Sequence, residues 1–557
     1  MATIMKILTK LRTVFVLILS VGLGACEDFL VEEPQTEITE ASFFDSEENA
    51  RLAVNGMYDV LGWGQVTNTA PGFYHSYEFL IGDICSDNAE KGSTDSDQSG
   101  IQDLKEFKAS GSTGNIIGMW NIHWIAIGRA NLVLKNLKDA AFDAEVKNEM
   151  EGEARFVRAY AYFLLARIYG GLPIFREPVT SDQINRREFT RAPLFKVYEL
   201  IEEDLRFAME HLPEKGVREI GRANKGAAAA YLARAIMYQL GTDNTNQHEW
   251  SEVLDLTDQF INGAFGSYAL AANYAEIYEP EGENNSESIF EIQAVDTGTD
   301  MGGTGSIGPS VGSQWTVFTN PLSLGGWGFN TPSADLAANY EANDPRRPAT
   351  ALAAGEYAFG VQMIASERNK TGYYSRKAMA DPNDTSLWVT QKGSGQNIRH
   401  FRYADILLMN AEAAWHQGNF GQAVARLTEI RNRASQSTYP KGWNPANPSG
   451  YEPTGFAPLD NSVIPASGPA LLDFIYAERR RELGMEHLRF WDMVRTGQFM
   501  ARMESLYGAE IAQAALDHSI TASHPEAEGQ EIVNPVPVFP IPSIETNNWN
   551  ILQNRNY

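Results

Sequence analysis

Cysteine, basic residues and long apolar runs are all scarce in this chain of 557 residues. Its two cysteines stand at positions 26 and 85, so stability must come from a large buried core rather than from a disulfide framework. Lysine and arginine total 45 against 71 aspartate and glutamate residues, which gives a net charge of -26. Because nucleic-acid binding needs a basic surface, we expect no nucleic-acid partner and favour neutral or cationic ligands.

The one long apolar run lies at residues 14–25, and it is too short to span a bilayer as a mature helix. Basic residues precede it and small residues end it, which is the architecture of an export signal. Its last residues, Leu23-Gly24-Ala25-Cys26, resemble a bacterial lipobox. We therefore expect a lipoprotein signal peptide at 1–25 and a membrane anchor through lipid on Cys26, with an unlipidated signal peptide as the alternative.

Apolar residues at helical spacing dominate the chain on both sides of an irregular stretch. We divide it into a lipidated tether at 26–45, a helical region at 46–264 with a loop-rich segment at 63–118, an irregular insertion at 265–400, and a helical region at 401–557 that includes a Pro-rich tail. Helices joined by short turns resemble tetratricopeptide-like hairpins, although no strict 34-residue period is present. The predicted fold is mainly α, a superhelix of helix pairs with a loop-rich lobe and few short strands.

The pattern also predicts individual elements. An N-cap at Asp45 or Ser46 should start the first helix, and a strand is expected at 289–295. The other predicted helices are 120–137, one ending at Gly170, one around 197–211, 227–240, 250–261, 402–416, 420–433 and 471–495. Acid and base residues three apart should form structural ion pairs on one helix face: Arg402 with Asp405, Arg479 with Glu482, and Asp492 with Arg495.

Five separated signatures follow one another along the chain. They are 26–30; 153–163 with 169–173; 401–412; 478–483 with 489–495; and 539–542 with 553–557. Together they resemble the SusD/RagB-like surface glycan-binding lipoproteins of Bacteroidetes. The resemblance implies a non-enzymatic protein that binds a glycan, and a SusC-like TonB-dependent outer-membrane transporter as its partner. Glu27 and Asp28 resemble the signal that sends lipoproteins to the outer face, which implies a lipid-anchored protein on the cell surface.

A glycan site needs exposed aromatic rings beside amides and carboxylates. The candidates in the first loop region are Trp63, Tyr74 and Tyr77, with Phe73 beside them and with Asp87 and Asn88 nearby. In the insertion they are Trp315, Phe318 and Trp327, near Phe329. Each ring could instead pack the lobe, and Trp327 also fits a recurrent segment of the family. Trp120 and Trp124 lie on a helical stripe, so we expect them in the core.

Oxygen donors in the first loop region follow the spacing of an EF-hand calcium loop: Asp95, Asp97, Ser99, Asp103 and Glu106, with Gly100 at the sixth position. The segment before Asp95 predicts no entering helix. A calcium site and a solvated acidic loop therefore both remain open.

Catalytic motifs are weak. Residues 303–308 fit G-x-G-x-x-G and 308–312 fit G-x-S-x-G around Ser310, but neither has the strand-to-helix context that its chemistry needs. No H-E-x-x-H motif or zinc-spaced cysteine pair is present. We expect no enzyme activity and no required cofactor. The alternatives are a secreted glycoside hydrolase, a helical scaffold without a small ligand, and a peptide rather than a glycan as the ligand.

Overall fold

The computed structural model describes residues 44–62, 78–187, 189–294, 314–384, 394–523 and 528–557. Helices account for about half of the described residues. The first eight are α1 (Glu47–Leu61), α2 (Ser99–Lys105), α3 (Gly114–Leu137), α4 (Ala144–Tyr169), α5 (Ser181–Arg186), α6 (Leu194–His211), α7 (Lys225–Gly241) and α8 (Trp250–Ile261). The next are α9 (Gln314–Thr319), α10 (Ala334–Ala338), α11 (Arg346–Thr350), α12 (Tyr403–His416), α13 (Phe420–Ser435), α14 (Gly468–Glu482), α15 (Arg489–Arg495), α16 (Phe499–Tyr507), α17 (Ala509–Asp517) and α18 (Ser543–Trp549).

Local capping explains where several of these helices begin. The hydroxyl of Ser46 accepts a hydrogen bond from the Asn49 amide at 3.3 Å, as the sequence predicts for the start of α1. Asn224 caps α7 in the same way, at 2.9 Å from the Ala227 amide. The predicted helix 250–261 coincides with α8.

The long helices form a continuous row in which each packs on the next. α3 packs on α4, α4 on α6, α6 on α7, α7 on α8, α8 on α12, and α12 on α13 and α14. Their buried faces build one hydrophobic core that runs through the row. The predicted class, a mainly α superhelix of tetratricopeptide-like helix pairs with few short strands, is confirmed. Within the described residues, no helix combines the length and apolarity that a membrane crossing needs.

The strands are short and pair in antiparallel twos. They are β1 (Ala89–Gly92), β2 (Ser288–Ile292), β3 (Phe329–Pro332), β4 (Ala351–Ala353), β5 (Tyr357–Ala358), β6 (Val361–Gln362), β7 (Tyr373–Ser375), β8 (Ile398–Arg402), β9 (Ser519–Ile520) and β10 (Val536–Pro537). β1 pairs with β3, β2 with β8, β4 with β7, β5 with β6, and β9 with β10. We use the name lobe for the irregular insertion at 265–400. The β2–β8 pair, with Ser288 opposite Arg402, joins this lobe to the start of α12. A second small core around Phe359 and Tyr374 lies inside the lobe.

The single helix predicted over 471–495 is wrong. The chain forms α14 and α15 instead, because Met485 and His487 between them have φ angles of 62° and 64°. This connection lies against a short π-helix at Leu80–Ile84. A Cβ on Gly82 would come within 1.9 Å of the His487 carbonyl oxygen, so only glycine permits the close approach.

Two of the three predicted helix-face ion pairs are also wrong. Asp492 does pair with Arg495, at 2.9 Å. The predicted pair of Arg402 with Asp405 does not form, since Arg402 pairs with Glu287 and Glu482, at 2.6 Å each. The predicted pair of Arg479 with Glu482 does not form either, since Arg479 pairs with Asp405, which also pairs with Arg234. These partners come from other elements, because the side chains are buried at the junction of several helices and face one another across it.

A candidate ligand cleft beside the first helix

A cleft of about 460 Å³ lies where the end of α1, the loop before α7 and strand β2 meet. α1 presents one polar face to it through Asn55, Tyr58 and Asp59. The opposite walls come from residues 219–222 and 290–293. Gly221 allows the loop to lie close against the strand. Any larger residue would clash there, because its Cβ would lie 2.5 Å from Cγ of Gln293. The volume is within the range of pockets that bind small ligands.

Arg222 organises one wall of the cleft. Its guanidinium donates to Glu153 at 2.9 Å, to Glu219 at 2.8 Å and to the Asn55 side-chain oxygen at 2.6 Å. Burial raises the pKa of Glu153, and the positive charge of Arg222 opposes that shift. The Tyr58 hydroxyl accepts a hydrogen bond from the Ala223 amide at 3.0 Å. These contacts hold an arginine, an amide and a phenol ring side by side at the edge of the cleft.

The strand side of the cleft is a network of amides around a buried carboxylate. Glu291 accepts hydrogen bonds from the Asn284 backbone at 3.0 Å and from the Asn397 side chain at 2.9 Å. The side-chain amides of Gln293 and Asn284 donate to each other, at 3.0 and 3.1 Å. Gln293 is half-buried, so it combines a fixed position with access to the cleft.

A small, mostly apolar chamber of about 30 Å³ lies behind the end of α1, and a few polar side chains project into it. Glu78 accepts a hydrogen bond from the Tyr160 hydroxyl at 3.1 Å, and His400 Nδ1 lies 3.4 Å from its other oxygen. Burial alone would raise the pKa of Glu78, but the adjacent His400 holds it well below its usual value. The chamber shares Leu61 and Ile292 with the cleft, so the two spaces adjoin.

The cleft therefore offers hydrogen-bond donors and acceptors beside an aromatic ring. Its carboxylates all have partners: Asp59 pairs with Arg129, Glu219 accepts from Arg222, and Glu291 accepts from amides. A neutral, hydroxyl-bearing ligand suits these groups, because hydroxyls can both donate to carboxylates and accept from amides.

Several predicted ligand residues lie outside the described chain. These are Trp63, Phe73, Tyr74 and Tyr77, together with the lipidation residue Cys26 and with Ser310. Gly62, the last described residue before the first aromatic segment, lines the cleft. The roles of these aromatic residues stay predictions.

The insertion aromatics do not form an exposed platform. Trp315 and Phe318 are each 2% exposed. The Trp315 ring meets His487 edge-on at 5.3 Å, and Phe318 stacks on Phe329 at 4.3 Å. Trp327 is half-buried and packs against Phe318 at 6.1 Å. The prediction of surface rings is therefore wrong for Trp315 and Phe318, which are buried, whereas a ligand contact by the half-buried Trp327 stays a prediction.

Asp87 and Asn88 also have structural partners. The buried Asp87 carboxylate accepts from Arg489 at 2.7 and 2.9 Å and from Arg502 at 2.8 Å. Burial would raise the pKa of Asp87, but these guanidinium groups hold it well below its usual value. Asn88 accepts from Arg480 at 2.8 Å. Both residues connect β1 to the C-terminal helices rather than facing a ligand.

The predicted calcium loop contains a helix. α2 begins at Ser99, so Ser99 and Asp103 lie on a helix, and Glu106 follows its end. The Asp95 carboxylate pairs with Lys370 at 2.5 Å, and Asp97 accepts from Ser93 at 2.7 Å. In the described ranges, no three His, Cys, Asp or Glu residues come together as a metal site. Calcium binding stays a prediction, and this geometry offers it no support.

The sequence reasoning missed Tyr58, Arg222 and Gln293 as cleft residues. Each belongs to a separate element, and none stands in a local motif. The one available signal was the loop at 213–224, where glycines and charged residues interrupt two helices. Trp120 is in the core as expected, at 3% exposed, whereas Trp124 is half-buried and lines a different groove.

Two family models match most of the chain. One, described as "Starch-binding associating with outer membrane", matches residues 28–237, and the other, described as "SusD family", matches residues 356–557. A curated relative, SusD-like protein P25 of Formosa agariphila, is 26% identical over 518 residues, which cover 86% of this chain and 89% of the relative. A SusD-like protein of Bacteroides ovatus is 23% identical, over 88% of this chain and 83% of its own length.

Solved structures share the fold. A structure named "Laminarin binding SusD-like protein" is 26% identical with a TM-score of 0.68, covering 92% of this chain and 100% of its own. Surface glycan-binding protein A from Bacteroides thetaiotaomicron, in complex with laminarihexaose, is 22% identical with a TM-score of 0.67, covering 92% of this chain and 99% of its own. The comparisons thus agree with the resemblance seen in the signatures, and the chain belongs to the SusD family.

Proposed function

We propose that this protein captures an oligosaccharide or polysaccharide at the cell surface and delivers it to a SusC-like TonB-dependent transporter. The observation that carries the proposal is family membership over nearly the whole chain, with a laminarin-binding protein among the structural relatives. The cleft beside α1 supports it, because its amides, its arginine and Tyr58 suit a hydroxyl-rich neutral ligand.

We also propose that the protein binds its glycan without cleaving it. Glycoside hydrolysis requires two carboxyl groups that flank the scissile bond and are free to exchange protons. In the cleft, Asp59 is paired with Arg129, Glu219 is paired with Arg222, and Glu291 accepts from two amides, so none of the three suits that role. Two structural relatives are named as binding proteins.

The proposed location is the outer face of the outer membrane. The description of the N-terminal family model supports association with that membrane. Lipid on Cys26 would supply the anchor, and the acidic residues Glu27 and Asp28 would direct export to the surface. The proposed delivery to the transporter is supported by the family resemblance.

Equilibrium binding to neutral polysaccharides tests the proposal. The purified full chain is titrated calorimetrically with a panel that includes laminarin and starch, and reducing sugar is measured after prolonged incubation. We expect binding to at least one glycan and no release of reducing sugar. Indifference to the whole panel would overturn glycan capture and favour a scaffold, and sugar release would favour a hydrolase.

A double variant tests the cleft itself. Asn55→Ala with Gln293→Ala removes two amides and should weaken binding about thirtyfold, since each hydrogen bond contributes on the order of 1 kcal/mol and the two together about 2 kcal/mol. The matched control is Asn185→Ala with Gln513→Ala, two exposed residues away from the cleft. Equal affinity of both double variants would place the ligand elsewhere on the protein.

A further inference from the structure

A second groove, of about 490 Å³, lies on the far side of α3 from α1. Its walls are α3, the segment from Pro173 to Phe189, and the C-terminal helix α18. It shares no lining residue with the cleft described above. The groove is mostly apolar and open to solvent, with Val179 38% exposed and Ile184 41% exposed at its rim.

Five aromatic rings follow one another along this groove. Trp549 meets Phe189 at 5.4 Å, Phe189 meets Phe175 at 5.4 Å, Phe175 meets Trp124 at 5.5 Å, and Trp124 meets Trp120 at 5.4 Å between ring centroids. The rings come from three separate parts of the chain. The groove therefore presents a continuous aromatic wall that no single stretch of sequence encodes.

One carboxyl group, that of Glu545, lies among these rings. Glu545 precedes Trp549 by four residues on α18, so the two side chains share a helix face. Within the described chain, the Glu545 carboxyl has no hydrogen-bond or ion-pair partner, and burial raises its pKa to about 7. The other ionisable residue of the groove, Glu177, already pairs with Lys138.

An unpaired carboxyl in an apolar groove is unfavourable in the absence of a counter-charge. Aromatic rings attract cations through the negative charge of their faces, and a carboxylate beside them adds a direct ionic contact. An aromatic wall with one free carboxylate is thus complementary to a positively charged head on an apolar body. The side-chain amide of Asn121, which also lines the groove, can add a hydrogen bond.

We propose that this aromatic groove is a binding site for a small organic ammonium ion with an apolar body, held by Glu545 and by the rings of Trp124 and Trp549. The ligand binds here independently of the glycan cleft. The ammonium group lies against the Glu545 carboxylate, while its hydrocarbon part covers the indole faces. Binding stabilises the ionised form of Glu545, so it releases a proton near neutral pH.

A charged and a neutral probe of the same shape test the proposal. The full chain is titrated with 4-phenylbutylamine and with 4-phenylbutanol, and tryptophan fluorescence and calorimetry report binding. We expect the amine to bind at least tenfold more tightly than the alcohol at pH 8. The preference should fall as the pH is lowered to 5.5, because Glu545 becomes protonated while the amine keeps its charge.

Glu545→Gln keeps the shape and removes the charge, so it should abolish the preference for the amine while leaving the weak affinity for the alcohol unchanged. Trp549→Leu should weaken both probes. Glu510→Gln, on an exposed position of α17, is the matched control and should behave as the unmodified protein. Circular dichroism confirms that each variant is folded.

Three outcomes would overturn the proposal. The first is no binding of either probe, and the second is equal binding of amine and alcohol. The third is an unchanged preference for the amine in folded Glu545→Gln. Each of these leaves the glycan proposal intact, because the groove and the cleft share no residue.

Discussion

Arg402 donates a hydrogen bond to Glu482 at 2.6 Å although the two residues are 80 positions apart. Arg402 ends β8 and immediately precedes α12, and Glu482 is the last residue of α14. Glu482 also forms ion pairs with Arg346, at 3.0 Å, and with Arg433. Burial would raise the pKa of Glu482, but these guanidinium groups hold it well below its usual value. One carboxylate thus ties the lobe to two helices of the superhelix.

Removing that carboxylate should be strongly destabilising. Glu482→Gln removes the negative charge that faces three buried arginines. Removing one partner of a buried ion pair lowers the free energy of unfolding by about 3–5 kcal/mol. Urea unfolding followed by circular dichroism measures the loss.

The control for this variant is Glu199→Gln. Glu199 pairs with Lys196 on the surface at 2.8 Å, with 47% of its side chain exposed. Surface pairs contribute little, so this change should stay within about 0.5 kcal/mol of the unmodified protein. Equal effects of the two variants would contradict the central role of Glu482.

Acid should destabilise the protein through Asp405. Burial would raise the pKa of Asp405, but Arg479 and Arg234 lower it to about 2, below its ordinary value of 3.8. A carboxyl whose pKa is lower in the folded state stabilises the fold above the unfolded pKa. That contribution is lost as the pH falls from about 4 towards 2.

Asp405→Asn tests this assignment. The variant should be less stable than the unmodified protein at pH 7, and the difference should shrink between pH 4 and pH 2. Urea midpoints measured at one-unit pH intervals give the comparison. A difference that stays constant across this range would show that Asp405 is not the titrating group.

The sequence predicted most helices because each has its own local signal. α8 coincides with the predicted range, since a clear apolar face runs to its end at Ile261. The break between α14 and α15 depends instead on the backbone conformation of Met485 and His487, which packs against the short π-helix around Gly82. Helix α18 was missed because it is short and follows the Pro-rich tail.

The candidate sites were harder to predict because their residues meet only in the folded chain. Arg402 and Asp405 stand three apart, yet each pairs across a helix junction that no local spacing encodes. Trp315 looks like a loop aromatic in the sequence, and its burial against His487 depends on tertiary packing. The aromatic groove likewise joins α3 and α18 from opposite ends of the chain.

Calcium can be tested at the predicted loop despite its helical geometry. The spacing predicts that millimolar calcium raises the melting temperature and that a chelator lowers it, because a ligand that binds the folded state stabilises it. Asp97→Asn with Glu106→Gln should abolish the shift. A melting temperature that is the same with calcium and with chelator would remove the prediction.

Lipidation of Cys26 should determine location without affecting ligand binding. Cys26→Ala removes the thiol that would carry the lipid, and the described fold begins only at residue 44. The variant should therefore lose its membrane anchor. In detergent phase partitioning it should appear in the aqueous phase rather than in the detergent phase. Its melting temperature and its glycan affinity should equal those of the unmodified protein. Retention in the membrane fraction would contradict the lipid anchor, and a loss of glycan affinity in the purified variant would show that the N-terminal segment takes part in binding.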